Sequence, residues 1–381
     1  MGIKNLSPHL SPITRLRTLA DLRGQVCGID GHVWLHRSMF SVTRSHAGIG
    51  NQPSVLRYFE SRASRLRESG IKPLFVFDGD KVPAKKRTGF ARSQARNTAM
   101  CRAVGLRDTG ERELVPHFAK AADVNHEMVH TLVKFLQAQG YDAHVAPYEA
   151  DAQLSFLARC GEIDCAISED SDLIVYGCPR VIFKFDPLRG NGFEVSTRLS
   201  DVPIFKGLSE DAAVFACVLA GCDYGPNIHG IGIKRARLYA QEFDKSDDIE
   251  ASILGACSLL SQRGYGSSGG VNTITDDVRT AIRVFSHQPV YDPRLHQMVP
   301  VRRAPHSYSG AIIPFDGQVG SMYAPQLAKG VYFGDLHPVT RLEYKNAVST
   351  ESPGYERVIC GAAVNSFTYL GRYSTEVGLI P

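Results

Sequence analysis

Acidic side chains crowd into one short stretch of this 381-residue sequence. Residues 148–177, "YEADAQLSFLARCGEIDCAISEDSDLIVYG", surround a short apolar run with Glu149, Asp151, Glu162, Asp164, Glu169, Asp170 and Asp172. Carboxylates this close repel one another, and partial burial raises that cost, so a positive partner is expected among them. The chemistry that fits such a pattern is the binding of divalent metal ions.

Two pairs in that stretch, Glu149-x-Asp151 and Asp170-x-Asp172, and the later Asp223 are candidate ligands. The first pair opens a helix, the second follows a buried strand, and Asp223 ends an apolar helix, where the helix dipole disfavours an anion. Oxygen ligands suit Mg²⁺ or Mn²⁺, and clustered carboxylates can hold two ions about 4 Å apart for attack at phosphorus. The alternatives are solvent-facing helix acids for the first pair and an Asx turn for the second.

Three apolar runs are predicted to position these acids: "QVCGID" ends at Asp30, "KPLFVFD" at Asp78 and "DCAISED" at Asp170. Such runs are typical of strands buried on both faces of a parallel sheet, and helical patterns at 53–70 and 124–140 lie between them. The predicted fold class is therefore α/β, with a mostly parallel central sheet flanked by helices. Because ligands bind beyond the carboxyl ends of such strands, one shared site is expected there.

Composition indicates a globular protein of a reducing compartment. With 43% hydrophobic and 22% charged residues, and no apolar run near the roughly 20 residues of a membrane helix, no membrane association is expected. The amino terminus lacks the apolar core of a secretory signal. Nine cysteines without a C-x-x-C pair favour reduced thiols in the cytosol or nucleus and give no zinc spacing. The net charge of +4 identifies no partner by itself.

Positive charge is concentrated between residues 81 and 107, which include no acidic residue. A one-sign segment directly after Asp78 indicates a polyanion held above the metals, and phosphodiesters fit that description. Lys85 and Arg92 are two helical turns apart and can point from one face toward one phosphate. A short nuclear localisation signal at Lys85 to Arg87 is the alternative. The basic residues are Lys81, Lys85, Lys86, Arg87, Arg92, Arg96, Arg102 and Arg107.

A second contact with nucleic acid is predicted at "HGIGIKRA", residues 229–236. The turn at Gly230 and Gly232 opens a helix and exposes backbone N–H groups that can hold a phosphate, while Lys234 and Arg235 add charge. It would grip a duplex backbone without reading base sequence. The carbonyl oxygens of this turn are also candidate ligands for a monovalent cation such as K⁺.

The second half of the chain has a different sequence pattern, without strand-like apolar runs up to residue 285. Residues 201–285 are helical in pattern, except that the Gly- and Ser-rich segment 261–273 is expected to form a mobile loop. From residue 286 onward no clear period is present, and an irregular region is expected.

These motifs resemble the structure-specific 5′ nuclease family, the flap endonuclease and exonuclease 1 group. The resemblance covers residues 1 to about 340 and follows the family's order: "MGIKNL", "GIDGHVWLH", "PLFVFDGDKVPAKK", "APYEADAQLSFL", "ISEDSDLIVYG", "LAGCDY" and "GIGIKRA". The spelling "WLH" with His36, together with "YAPQLAKGVYFGDLHP", is similar to the exonuclease 1 branch.

The resemblance implies a PIN-like 5′ nuclease fold with a helical arch and a helix-two-turn-helix region. It implies a single catalytic domain over residues 1–360. Its parts are 1–99 with the start of the basic arch, 100–200 with the arch end and the internal nuclease region, 201–285 with the helix-two-turn-helix DNA-binding region, and 286–381 as an irregular C-terminal region.

Residue roles are implied by the resemblance as well. Lys85 and Arg92 would contact the scissile phosphate, and Asp78 and Asp170 would act in catalysis through coordination. Two Mg²⁺ ions, replaceable by Mn²⁺, would be held by Asp30, Asp78, Glu149, Asp151, Asp170, Asp172 and Asp223. DNA contacts would come from Gly2, His36, Lys85, Arg92, Arg96, Gly230, Gly232, Lys234 and Arg235. His36 would stack on the end nucleotide; a buried core histidine is the alternative.

The implied function is a metal-dependent 5′→3′ double-stranded DNA exonuclease with 5′ flap endonuclease activity, in nuclear DNA repair or recombination. Its partner would be duplex DNA with 5′ ends, nicks, gaps or flaps. Mismatch-repair proteins are candidate partners by resemblance, although the sequence shows no recruiting tail. Three alternatives remain: a flap endonuclease proper acting in replication, a DNA-binding scaffold without catalysis, and a haloacid-dehalogenase-like phosphatase that uses Asp78 and Asp80 of "VFDGD".

The arch departs from the family's pattern at Gly89 and Phe90, where charged helix formers are usual. Glycine is a poor helix former, so the first arch helix is expected to start later or be less stable.

Overall fold

A seven-stranded sheet is the centre of the computed structural model, which describes residues 2–46, 55–105, 124–265, 270–302 and 317–344. Its strands are β1 (Arg15–Thr18), β2 (Val26–Asp30), β3 (Lys72–Phe77), β4 (Asp142–Val145), β5 (Cys165–Ile167), β6 (Val181–Asp186) and β7 (Asn191–Val195). They are arranged in the order β1-β7-β6-β5-β2-β3-β4. Strands β2 to β6 run parallel, whereas β7 and β1 pair antiparallel at one edge.

Helices cover both faces of the sheet and predominate among the described residues from 210 to 287. The first six are α1 (Ser7–Leu10), α2 (Gly31–His46), α3 (Val55–Glu68), α4 (Lys86–Gly105), α5 (His126–Ala138) and α6 (Ala150–Arg159). The others are α7 (Asp172–Val175), α8 (Glu210–Gly221), α9 (Ile233–Phe243), α10 (Ile249–Gln262), α11 (Gly270–His287) and α12 (Pro325–Tyr332). In the described ranges, none of them combines the length and apolar character that a transmembrane span requires.

The predicted α/β class is confirmed. The three apolar runs form β2, β3 and β5, and β2 lies between the other two, with Ile29 opposite Phe75 on one side and Ile167 on the other. One face of the sheet packs on an aromatic cluster that includes Trp34, Phe59 and Phe75, contributed partly by α2 and α3. The opposite face packs on α6 and on the apolar helix α8. Burial on both faces explains why these strands are continuously apolar.

The described residues of the second half of the chain contain more regular secondary structure than the sequence pattern indicated. Helix α10 continues to Gln262 and α11 begins at Gly270, so the loop expected at 261–273 is wrong at its two ends, 261–262 and 270–273; residues 266–269 lie outside the described part. The region expected to be irregular from residue 286 contains an antiparallel hairpin, β8 (Pro289–Asp292) and β9 (Gln297–Pro300), followed later by α12.

A long-range contact explains the hairpin. The buried amide of Gln153 on α6 donates to the carbonyl of Tyr291 at 2.7 Å and accepts from its N–H at 2.8 Å. These two hydrogen bonds pair β8 with a residue 138 positions away, which no local periodicity reveals. Tertiary contacts of this kind routinely override local propensity.

Helix α4 begins at Lys86 and runs through Gly89, so the expectation of a later start is wrong. Its first turn is held by contacts with the helical half of the chain. The hydroxyl of Thr88 donates to the carbonyl of Asp223 at 2.7 Å, and Arg87 pairs with Asp277 of α11 at 2.6 Å. These contacts stabilise a first turn that contains a poor helix former.

Stability is expected to depend on His144 of β4, whose ring stacks on Tyr332 at a centroid distance of 4.3 Å. Burial lowers the pKa of His144 from 6.5 to about 4. Between pH 6.5 and 4 the unfolded chain binds a proton on His144 that the folded chain does not. The free energy of unfolding should therefore decrease as the pH is lowered through this range, by up to about 3 kcal/mol. Urea unfolding from about pH 6.5 to 4.5 should show a shallower decline for His144→Phe, which keeps the stacking.

The matched control is His229→Gln, which removes an exposed histidine of the helical region. It should retain the wild-type pH slope. Equal slopes for wild type and His144→Phe would contradict the assignment of this titration to His144.

Candidate metal and nucleic-acid site

Strand ends bring three of the predicted acids to one edge of the sheet. Asp30 is the last residue of β2, Asp78 follows β3 directly, and Asp170 lies three residues after β5. Since β2 is paired in parallel with both neighbours, these carboxyl ends lie side by side. The three carboxyl groups that the sequence predicted to share a site therefore lie at the same end of neighbouring strands.

Two helix starts add further carboxylates to this edge. Glu149 is the N-cap residue of α6 and Asp151 lies in its first turn; the N–H of Ala150 donates to Asp78 Oδ1 at 2.8 Å and so ties the helix start to β3. Asp172 begins α7, and its N–H donates to Asp170 Oδ1 at 3.0 Å. These bonds fix the positions of the acids relative to one another.

Asp223 joins the cluster from the helical half of the chain. It lies two residues after α8 and pairs with Lys85 Nζ at 3.1 Å and with Arg92 Nη2 at 2.7 Å. Lys85 Nζ also pairs with Glu149 Oε1 at 2.6 Å. The two basic residues that the sequence places on one face therefore converge on one carboxylate, and they supply part of the positive charge that the acidic cluster requires.

Burial and mutual repulsion perturb the acids strongly. Burial, followed by the neighbouring Asp78, raises the pKa of Asp30 to about 6. Burial, followed by the charge of Asp170, raises the pKa of both Asp151 and Asp172 well above the ordinary value. Burial acts to raise the pKa of Asp78 as well. The charge of His32 and the hydrogen bond from the N–H of Ala150 have the opposite effect, and the net pKa of Asp78 lies below its usual value. Such mutually raised values indicate a site that favours added positive charge.

The donor set fits divalent ions. Asp151 Oδ1 and Asp172 Oδ1 are buried and have no hydrogen-bond partner, so each can accept a cation without losing a bond. All the clustered ligands are carboxylate oxygens, which Mg²⁺ and Mn²⁺ prefer. Among the described residues, no three His, Cys, Asp or Glu side chains already surround one point as metal ligands. Because Lys85 holds Glu149 and Asp223, coordination there requires this lysine and some carboxylates to rotate.

Gly2 lies directly against the cluster. Its φ is +87°, and a Cβ at this position would lie 2.3 Å from Asp170 Oδ1 and 2.3 Å from Ser171 Oγ. The next residue, Ile3, donates its N–H to Ser171 Oγ at 2.9 Å. Only glycine fits this backbone conformation and this gap without displacing the acid.

The predicted end-binding residue His36 is exposed on α2, so its alternative interpretation as a core histidine is wrong. Its ring lies 6.5 Å from the ring of His32, which accepts the N–H of Asp78 at 3.0 Å. His32 was not among the predicted residues, although its position two residues after Asp30 at the start of α2 is a signal that could have found it.

The other predicted phosphate contacts lie on α4 and at the start of α9. Arg96 is partly exposed on α4, and Lys234 and Arg235 are exposed in the first turn of α9. Gly230 has a φ of +80°, and Gly232 is the N-cap of α9. The carbonyl of Gly230 accepts a hydrogen bond from Arg235 Nη1 at 2.7 Å. The basic residue Arg107 lies outside the described residues.

A network of buried tyrosine side chains, which the sequence did not predict, forms a hydrogen bond with Glu149. The hydroxyl of Tyr224 donates to Glu149 Oε2 and lies 3.0 Å from the hydroxyl of Tyr176. Tyr176 in turn donates to Gln288 Oε1 at 2.7 Å. The only local signal is the position of Tyr224 next to Asp223; Tyr176 and Gln288 are 112 positions apart.

Comparison with known proteins agrees with this arrangement. Residues 1–99 match the model of the XPG N-terminal domain, and residues 140–223 match that of the XPG I-region. The DNA damage-inducible protein DIN7 of Saccharomyces cerevisiae is 30% identical over 318 residues, which cover 82% of this chain and 71% of DIN7. The chain belongs to the structure-specific 5′ nuclease family. Both matched regions of this 5′ nuclease lie within the resemblance that the motifs indicated, so the phosphatase alternative for Asp78 and Asp80 is wrong.

Further relatives assign this 5′ nuclease to the exonuclease 1 branch. Exonuclease 1 of Arabidopsis thaliana is 31% identical and exodeoxyribonuclease 1 of Schizosaccharomyces pombe is 30% identical, over 91% and 90% of this chain. The chain spans 45% of the first relative and 58% of the second. Flap endonuclease-1 of Methanococcus jannaschii is a structural neighbour at 21% identity and a TM-score of 0.47, covering 71% of this chain and 81% of that one.

Proposed function

We propose that this protein is a metal-dependent 5′→3′ exonuclease of double-stranded DNA that also cuts 5′ flaps, and that it acts in nuclear DNA repair or recombination. One observation carries the proposal. Lys85, in the 3-10 turn just before the basic helix α4, and Arg92, in the second turn of α4, reach the same carboxylate cluster that the strand ends assemble. Cations beside such a cluster suit a phosphodiester held over metal ions.

The clustered carboxylates are the proposed metal ligands. Two Mg²⁺ ions, or Mn²⁺ in their place, would be held by Asp30, Asp78, Glu149, Asp151, Asp170, Asp172 and Asp223. Bound there, such ions supply a water of lowered pKa and stabilise charge on the leaving oxygen. The protein's own contribution is to fix the acids by the hydrogen bonds described above and to leave room for Asp170 by having glycine at position 2.

Basic and aromatic side chains would position the substrate. When a phosphodiester enters, Lys85 and Arg92 exchange their carboxylate partners for its oxygens and neutralise charge that grows there during cleavage. Arg96, one helical turn beyond Arg92, would bind a neighbouring phosphate. The exposed ring of His36 would stack on the terminal nucleotide.

The start of α9 is the proposed second grip on the duplex. Its N-terminal N–H groups, together with Lys234 and Arg235, would hold a backbone phosphate without reading bases. A K⁺ ion at the turn of Gly230 and Gly232 is proposed as well; it would share the Gly230 carbonyl with Arg235. We also propose the domain division given above and, as partners, mismatch-repair proteins.

The products of cleavage test the activity most directly. Blunt, recessed and 5′-flapped duplexes, labelled at either end, are incubated with the purified chain and Mg²⁺. An exonuclease releases mononucleotides from a 5′ end, whereas a flap endonuclease proper releases the intact flap and spares blunt ends. A DNA-binding scaffold retains the duplex without cutting it, and that outcome would overturn the proposal.

Tyr224→Phe tests the positioning of Glu149. Loss of the hydroxyl removes the donor to Glu149, so cleavage should fall about 10- to 100-fold, as for other residues that orient metal ligands. The Mg²⁺ concentration for half-maximal activity should rise at the same time. The change is followed by initial rates on a recessed duplex over a Mg²⁺ titration.

Tyr239→Phe is the control, because it removes a hydroxyl from another buried tyrosine, on α9. It should leave the Mg²⁺ dependence unchanged. If Tyr224→Phe lowered only thermal stability and left the Mg²⁺ dependence unaltered, its role would be structural.

A further inference from the structure

A cavity of about 890 Å³ lies at the edge of the sheet opposite the acidic cluster. Its walls come from the turn 177–179 before β6, the segment 196–201 after β7 and the start of α8. The acids follow the carboxyl end of β5, and β6 runs parallel to β5, so the beginning of β6 is at the other edge. No proposed metal ligand lines this cavity. It is a second concave site, distinct from the proposed nuclease centre.

Two arginine side chains converge in this cavity. Arg159 is the last residue of α6, and Arg302 follows the hairpin of β8 and β9. Gly177 marks their meeting point, because a Cβ there would lie 3.3 Å from Arg159 Nη1 and 3.3 Å from Arg302 Nη2. Its φ of +79° also favours glycine. The backbone thus leaves space for two guanidinium groups side by side.

Main-chain carbonyls, rather than carboxylates, hold these guanidinium groups. Arg159 donates to the carbonyls of Tyr176 and Val301, and Arg302 donates to those of Val175 and, at 3.4 Å, Tyr176. In the described part of the chain neither arginine forms an ion pair. Burial and the charge of Arg302 lower the pKa of Arg159 to about 10. Glu210 and Asp211 offset part of the charge of Arg302, but the two guanidinium groups still place like charges side by side, which a bound anion would offset further.

The remaining walls suit a polar ligand. A third arginine, Arg198, and four hydroxyl side chains surround the opening: Ser196, Thr197, Ser200 and Ser209. Two acids, Asp201 and Glu210, also line the cavity, and the Glu210 carboxylate accepts the N–H of Ser200 at 3.0 Å. A volume of this size matches small-ligand sites of about 300–1,000 Å³.

We propose that this cavity binds a phosphate group, either free or carried by a mononucleotide. Paired guanidinium groups present parallel N–H donors that match phosphate oxygens, and serine and threonine hydroxyls can complete the shell. The hydrogen bonds to main-chain carbonyls fix the orientation of both guanidinium groups before the ligand binds, which reduces the conformational entropy lost on binding. This proposal is independent of the nuclease activity, because the two sites share no residue.

Calorimetric titration of the purified chain tests the proposal. Inorganic phosphate is one arm and deoxyadenosine 5′-monophosphate the other, at fixed ionic strength without divalent metal. We expect saturable binding in at least one arm, and an increase in Kd of at least about tenfold in Arg302→Gln and in Arg159→Gln, since each loses a charged hydrogen-bond donor. Binding in both arms means that phosphate alone suffices, whereas binding of the nucleotide alone means that the nucleoside contributes.

Arg23→Gln is the matched control, because it removes an exposed guanidinium elsewhere on the surface. It should bind like the wild type. If Arg302→Gln does not fold, as judged by circular dichroism, the more peripheral Arg159→Gln decides. The absence of saturable heat in both arms, or binding that the folded arginine variants retain, would overturn the proposal; the second result would place the anion at another basic site such as α4.

Discussion

Asp170→Asn should abolish cleavage of a recessed duplex in Mg²⁺ while the chain still folds and binds DNA. Asp170 is 7% exposed, follows β5, and lies against both Gly2 and Asp172. Asparagine keeps the acceptor for the N–H of Asp172 but removes the negative charge. The loss of one charged metal ligand is expected to cost several kcal/mol of transition-state stabilisation, so the rate should fall about 1,000-fold or more.

The experiment compares initial rates, DNA affinity by fluorescence anisotropy and thermal midpoints for wild type, Asp170→Asn and Asp247→Asn. Asp247 is an exposed carboxylate in the turn before α10, so its substitution makes the same change in net charge away from the cluster. The control should cleave at the wild-type rate. Substantial turnover by Asp170→Asn in Mg²⁺ would remove this residue from the ligand set and would weaken the metal proposal as a whole.

The sequence predicted the acidic edge of the sheet because its signals are local. An apolar run ending in Asp30 or Asp78 specifies both a buried strand and the position of the acid at its end. The parallel pairing of β2 with β3 and β5 then places these strand ends side by side. Glu149 was likewise placed correctly at a helix start, because a polar residue before an apolar periodic segment is a typical helix cap.

The contacts that complete the cluster depend on residues far apart in the chain. Tyr224 reaches Glu149 across 75 positions, and Arg92 reaches Asp223 across 131. The sequence predicted that Lys85 and Arg92 share a direction but not that they converge on Asp223. Periodicity describes one element at a time, whereas these pairings arise when the turn after α8 meets the first turns of α4. The hairpin of β8 and β9 was missed for the same reason.

The phosphate-binding cavity shows a second limit of sequence reasoning. Arg159 and Arg302 are separated by most of the second half of the chain, and neither belongs to a basic run. They meet because the end of α6 and the residues that follow the β8–β9 hairpin both lie beside Gly177. A one-sign segment such as residues 81–107 is visible in the sequence, whereas a pair of converging charges is visible only after folding.

Lys85→Met should lower the cleavage rate at least about 100-fold, whereas Lys86→Met should cleave within about twofold of wild type. The two lysines are adjacent and the substitutions change net charge equally. Lys85, in the 3-10 turn Pro83–Lys85, contacts Glu149 and Asp223, while Lys86 is exposed at the start of α4. If positive charge on the arch acted only by attracting DNA, both variants would lose affinity and rate alike, and both losses would be restored at low salt.

Single-turnover rates at saturating DNA separate binding from chemistry in this pair. A defect of Lys85→Met that persists under these conditions and at low ionic strength means that its ammonium group acts on the reacting phosphate, not in steering. Burial lowers the pKa of Lys85, but Glu149 and Asp223 outweigh this and raise its pKa, so its charge is constant near neutral pH. The ratio between the two variants should therefore not change between about pH 6 and 9. Equal activities of the variants would assign the catalytic cation to α4 instead, at Arg92 or Arg96.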